Sequence, residues 1–289
     1  MFTFCILGAL FFILVRREMQ LYTSDDQNKQ RHNIASWRGA GLFLIALFLV
    51  GYLHCAKADE ELPGLHFSVT RLVYPSTARN GVPVVFTNNG PTNHLIQAYM
   101  SQLDPKTGLS GPRTTDFTVL PPLSMLSAGA STTLRVLRVG GDLPADRESV
   151  RFLVMRLIPA GSLPPVGKGA LASKVIQELG IKVFYRPAGL PEGGVSDAMK
   201  KVTVRLQGGR VTFMNPTPFW LTPGVISVDG APLPAGSLFL MVPPKGEQSW
   251  PLPKGVKANG GESTVTWNVV TERGIASPTV TLPLQTGGQ

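Results

Sequence analysis

Two basic residues stand where strand-like patterning leaves little room for charge. In Leu65-His66-Phe67-Ser68-Val69-Thr70-Arg71 the apolar side chains alternate, and the next position on the face of Leu65, Phe67 and Val69 is Arg71. In Ile181-Lys182-Val183 a lysine sits between two β-branched residues. A desolvated cation is costly unless an anion meets it. Two strand-borne cations can jointly hold a carboxylate, and the natural carboxylate for a binding module to seize is a chain terminus. The same spacing also allows both long side chains to reach solvent.

Covalent chemistry has little support. After residue 58 the chain carries two histidines, His66 and His94, and no cysteine. A Ser/His/Asp site needs a histidine beside its nucleophile, and no G-x-S-x-G, H-E-x-x-H, P-loop or dinucleotide fingerprint occurs. We therefore expect no catalytic residue, no metal ligand set and no cofactor. Lys and Arg number 27 against 18 Asp and Glu, of which 21 and 15 follow residue 58. This excess is modest and dispersed, with no basic cluster among aromatics, so no nucleic-acid partner is expected.

The elements that must position Arg71 and Lys182 read as strands. Short alternating runs from Leu65 to Leu284 are broken by turn residues every 8 to 12 positions, and the 231 residues after Ala58 hold 27 Gly and 25 Pro. Expected strands are Leu65–Tyr74, Val82–Thr87, Leu95–Met100, Phe117–Leu120, Thr132–Leu137, Val150–Ile158 and Val175–Tyr185. A second set follows: Val202–Leu206, Val211–Met214, Phe219–Val228, Leu238–Val242, Thr264–Val270 and Thr279–Leu284. Between them Arg186-Pro187-Ala188-Gly189-Leu190-Pro191-Glu192-Gly193-Gly194 cannot continue a strand. The fold class is all-β, with two immunoglobulin-like β-sandwich domains at 59–187 and 201–289 and a linker at 188–200. Gln207-Gly208-Gly209-Arg210 reads as a hairpin turn, and Asp229-Gly230 as another.

Residues 1–58 read as an N-terminal leader. Arg31 and Arg38, the uncharged run Gly39–Leu53 and Ala56-Lys57-Ala58 are the three parts of a secretory signal peptide. The expected cut follows Ala58 and leaves no stable membrane anchor; Cys55 goes with the leader. The first apolar run, Met1–Val15, has two readings. Either translation starts at Met19, or Met1–Val15 is a real segment oriented by Arg16 and Arg17.

Six ordered motifs carry a resemblance to a family. Thr70-Arg71-Leu72-Val73-Tyr74-Pro75 is similar to the opening strand of PapD-like periplasmic pilus chaperones, and Asn88-Asn89 matches after the second strand. Phe117-Thr118-Val119-Leu120-Pro121-Pro122 resembles a third segment. Leu143-Pro144-Ala145-Asp146-Arg147-Glu148-Ser149 resembles "LPxDRES", Ile181-Lys182-Val183-Phe184-Tyr185-Arg186-Pro187 resembles "IKLFYRP", and Asn215-Pro216-Thr217-Pro218-Phe219 resembles "NPTPY". The likeness spans residues 65 to 284. It implies two sandwiches in an L-shaped arrangement and a non-enzymatic chaperone that holds pilus subunits (pilins) in the periplasm and passes them to an outer-membrane usher. It also implies that Arg71 and Lys182 anchor the subunit's C-terminal carboxylate, and that Glu148, Arg186 and Glu272 form an interdomain salt bridge. Where the family usually has Asp, this chain has Glu272.

The resemblance further implies donor-strand complementation, in which the seventh strand fills a gap in the subunit. On the face of Ile181 that strand reads Leu171, Ser173, Val175, Gln177, Leu179. The donor residues are then Leu171, Val175, Gln177, Leu179 and Ile181, with Ser173 and Gln177 departing from the family's aliphatic pattern. The short loop before the strand and the missing disulfide place the chain with the short-loop branch, associated with rod-like pili. The alternative is a secreted structural or adhesive β-sandwich protein of the cell surface. Two complete strand sets and the central Tyr185-Arg186-Pro187 speak against it.

Overall fold

The computed structural model describes residues 64–161, 175–259 and 261–286. The leader lies outside the described residues, as do Leu171 and Ser173. Residues 61–289 fall in one compact unit.

Alternating apolar residues build the first sandwich from ten strands: β1 (Leu65–Phe67), β2 (Arg71–Pro75), β3 (Val82–Asn88), β4 (His94–Leu103), β5 (Ser110–Arg113), β6 (Phe117–Leu120), β7 (Leu123–Leu126), β8 (Ser131–Arg138), β9 (Ser149–Pro159) and β10 (Gln177–Arg186). One sheet runs β1-β3-β8-β6 and the other β2-β10-β9-β4-β5, with β7 paired to β4. Their inner faces meet in a core that includes Phe86, Leu134, Ile96, Leu153 and Val183. Side chains of this size, taken from water to full burial, each contribute about 1.5–3 kcal/mol.

The segment expected as one strand, Leu65–Tyr74, is two strands in different sheets. β1 pairs antiparallel with β3, whereas β2 pairs parallel with β10. The chain crosses between the sheets at Ser68–Thr70, and the crossing resets the alternation. Leu72 and Tyr74 are buried in the core, while Val69 is 38% exposed. Arg71 therefore does not face inward as its spacing from Leu65 suggests; it lies on the outer face of its sheet. A strand that changes sheet also changes which of its faces meets the core.

The second sandwich comprises β11 (Thr203–Gln207), β12 (Arg210–Asn215), β13 (Pro223–Val228), β14 (Ala231–Pro232), β15 (Gly246–Pro251), β16 (Thr264–Val269) and β17 (Val280–Thr286). The order is β14-β13-β16-β17-β11-β12-β15. Here too a strand changes partner: β17 pairs with β16 up to Pro283 and with β11 from Leu284. Phe213 packs edge-on against Trp250 and Trp267, with centroids 5.3 and 4.9 Å away. The Gly208-Gly209 hairpin forms as expected, both residues having positive φ (55° and 69°).

Some expectations give way. Residues 194–199, expected as linker, form a short helix, α1 (Gly194–Met199). Val195, Ala198 and Met199, at helical spacing, are buried in the second core. Residues 219–222 precede β13 instead of belonging to it, because Pro223 opens that strand. Residues 235–239 form a 3-10 turn after Pro234 in place of a strand. The final donor-strand segment begins as β10 at Gln177, not at Val175.

A third, smaller cluster joins the sandwiches. Val150 and Phe184 from the first pack with Met241 from the second, flanked by Leu103 and Trp220. Phe184 lies on the same outer face as Lys182, so this contact sits directly beside the candidate cations.

Candidate functional site

Parallel pairing of β2 with β10 sets Lys182 opposite Arg71. Both project from the outer face of the sheet, since their neighbours Leu72, Ile181 and Val183 fill the core. The Arg71 guanidinium lies 5.5 Å from the centre of the Phe184 ring. Its Nη1 donates to the carbonyl of Val270 in the second sandwich at 2.8 Å. Its Nε is buried and has no acceptor among the described residues.

Neither cation meets a carboxylate in an ion pair among the described residues. Burial, and after it the charge of Arg71, pulls Lys182 down to about 8. Arg71 is drawn down to about 10 by burial, opposed by the charges of Glu272 and Glu148. Two desolvated like charges on facing residues favour an added anion, which would stabilise both charged forms. A carboxylate fits because guanidinium and ammonium supply several donors from one side.

Beside the pair runs an uncovered sheet edge. β10 pairs with β9 from Gln177 to Tyr185, but with β2 only from Lys182 onward. Along Gln177–Ile181 no described strand lies on the β2 side. The crossing at Ser68–Thr70 is the cause: the chain that would cover this edge belongs there to the other sheet. An uncovered edge is a template for another strand.

The expected donor residues divide along this edge. Leu171 lies outside the described residues. Val175 is 72% exposed, Gln177 is exposed and Leu179 is half-buried. Ile181 is buried in the first sandwich's own core. It is therefore not available to a partner: it faces Leu153 on β9, and the inward face of β10 is committed to the core from Ile181 onward.

The structure also brings Glu148, Arg186 and Glu272 together. Arg186 Nη2 lies 2.7 Å from Glu148 Oε1 and 3.1 Å from Glu272 Oε1. Arg186 and Glu148 are buried, and Glu272 is nearly so. The other Glu148 oxygen accepts from the Trp220 N–H at 2.9 Å, and Glu272 accepts from the Val195 N–H at 3.2 Å. Arg186 Nη1 donates to the carbonyl of Pro191, and its guanidinium stands over Phe219. Burial pushes the Glu148 carboxyl up, with Arg186 opposing. The longer Glu272 reaches both its partners. Residues that sequence reasoning missed are Val270, which acts through a backbone carbonyl, and Phe184 and Trp220, whose apolar character resembles any core residue.

Two facing cations stand at the end of an unpaired sheet edge, on two packed β-sandwiches. Residues 64–191 match the PapD N-terminal domain of pili and flagellar-assembly chaperones, and residues 197–281 match the C-terminal domain of the pili assembly chaperone PapD. The chain belongs to this family of pilus chaperones, and its members are not enzymes. Among relatives, it is 31% identical over 219 residues to the chaperone protein LpfB of Salmonella typhimurium, covering 75% of this chain and 88% of that protein. It is 29% identical over 245 residues to the chaperone protein FimC of Escherichia coli, covering 83% and 92%. The crystal structure of the E. coli chaperone DraB superposes with a TM-score of 0.63 at 28% identity, covering 76% of this chain and 98% of that one.

Proposed function

We propose that the protein acts in the periplasm, where it binds pilus subunits along the open edge of β10, grips their C-terminal carboxylate with Arg71 and Lys182, and delivers them to an outer-membrane usher. The observation that carries this reading is the pair of facing cations at the closed end of that edge, without a carboxylate partner among the described residues. The direction follows from the geometry. A chain whose terminus rests at Lys182 and which lies along Gln177–Ile181 occupies the lane that β2 continues, and β2 is parallel to β10. Five residues of edge give roughly 16 Å of pairing. Upstream, Val175 and Gln177 are exposed, which leaves them free to enter a groove in the subunit. The secretory pattern ending at Ala58 supports a periplasmic location. Among the described residues no helix is long and apolar enough to cross a membrane.

The test is a charge deletion in the native host. Arg71→Ala and Lys182→Ala should each abolish piliation while the variant stays soluble in periplasmic extracts, because the subunit carboxylate would keep only one partner. Such truncations typically cost 2–5 kcal/mol. Normal piliation by both variants would defeat the anchoring role.

A further inference from the structure

Arg71 is held by a turn of the second sandwich. The turn runs from Val270 to Ala276, which bridge each other. It closes on itself: Thr271 donates from its N–H and its hydroxyl to the Ile275 carbonyl at 2.8 and 2.9 Å, and the Gly274 N–H donates to the Thr271 carbonyl at 2.9 Å. It is fastened at its base, where the Val270 N–H reaches the Thr222 carbonyl at 2.9 Å. It is fastened at its side, where Glu272 receives the Val195 N–H and Arg186. The Val270 carbonyl is thus fixed in place, and it accepts from Arg71 Nη1.

The turn grips the neighbouring residue too. Gly274 has φ 78° and packs against Thr70, so that a Cβ there would overlap Thr70 Oγ1. Thr70 and Arg71 are the last residue of the sheet crossing and the first of β2. One turn therefore pins both, Thr70 by close packing and Arg71 by a hydrogen bond, and the centre of the Phe184 ring lies 5.5 Å from the guanidinium.

We propose that the Val270–Ala276 turn is a clamp that preorganises Arg71 for carboxylate capture, which makes Val270 and Gly274 positioning residues of the anchor. This rests on the reading of Arg71 and Lys182 as a terminus-binding pair. Arginine loses much rotamer freedom when it is ordered, and an arginine already ordered does not lose it again on binding. The clamp uses Nη1 and leaves Nη2 for the ligand. It gives the second sandwich a part in recognition without any contact to the terminal carboxylate.

The test uses the intact mature protein and two probes: a 12-residue peptide of alternating valine and threonine with an N-terminal lysine pair and a free C-terminal carboxylate, and the same peptide as its C-terminal amide. Fluorescence anisotropy gives the ratio of the two affinities. Wild type should prefer the acid. Gly274→Ala should cut that preference about 3- to 10-fold while leaving the amide affinity unchanged. Arg71→Lys keeps the charge but replaces the planar fork with one ammonium that must serve both the carbonyl and the ligand. It should lose the preference similarly, and it covers the case in which Gly274→Ala does not fold. Full acid preference in both variants would overturn the clamp, as would an equal fall for acid and amide, which would mean that the turn supports only the edge. If wild type itself fails to distinguish acid from amide, the anchor reading falls, and the clamp with it.

Discussion

Lys182 and Arg186 project from one face of one strand, four residues apart, and their electrostatic surroundings are opposite. Arg186 is buried and answered by two carboxylates, a backbone carbonyl and an aromatic ring. Lys182 is largely desolvated and faces another cation. The difference separates two uses of buried charge. The arginine network fastens the sandwiches to each other, and its charges are satisfied internally. The Lys182–Arg71 pair carries an electrostatic cost that an added anion would relieve. A buried ion pair is weak evidence for stability, whereas a pair of like charges with no counter-ion points to a ligand.

The largest effect should come from Arg186→Met, which strands two buried carboxylates. Urea denaturation should show a loss of about 3–5 kcal/mol, and a loss under 1 kcal/mol would mean that the network does not bear on folding. Lys182→Met should act in the opposite sense, stabilising the unbound protein by about 1–2 kcal/mol because an unpaired cation is removed, while piliation is lost. Destabilisation by Lys182→Met would contradict the picture of an electrostatic cost in the free state.

The pH dependence sharpens the same point. Lys182 is lowered to about 8 from its usual 10.5. Between these values the unfolded chain holds a proton that the folded protein has released, so stability should rise with pH across that window. Below about 8 both states hold the proton and the folded state bears the full cost. Urea midpoints from pH 7 to 10 should climb in wild type relative to Lys182→Met; parallel curves would show that Lys182 is not desolvated. Subunit capture should weaken over the same range as the ammonium is lost. A smaller effect is expected for Glu272→Gln, which keeps a hydrogen-bonding group at the edge of the network and should cost about 1 kcal/mol. Least of all, Lys200→Ala removes an exposed pair with Asp197 and should leave the melting temperature unchanged.

Much of this was legible in the residues. Alternation marked the strands, and Gly208-Gly209 and Asp229-Gly230 marked tight turns, because positive φ has a residue signature. Arg71 and Lys182 stood out because charge interrupted an apolar pattern, although the face assigned to Arg71 was wrong. Three features were not legible in this way. The break at Ser68–Thr70 involves residues that are acceptable in a strand, and only sheet pairing reveals it. Helix α1 hides behind Gly193-Gly194, which reads as a breaker, even though Val195, Ala198 and Met199 carry a helical period. The Val270 carbonyl is a backbone group, identical in every residue type.

The crossing at Ser68–Thr70 has a topological consequence. Because β2 fills the lane beyond Lys182, a strand laid against Gln177–Ile181 runs into the protein's own backbone at Thr70 and Arg71. Its path is a cul-de-sac. A chain end fits; the middle of a chain, or an end carrying a short tail, has to leave the sheet before it arrives. A strand bound along this edge would be sorted by where it stops, at about 3.3 Å per residue against a fixed wall.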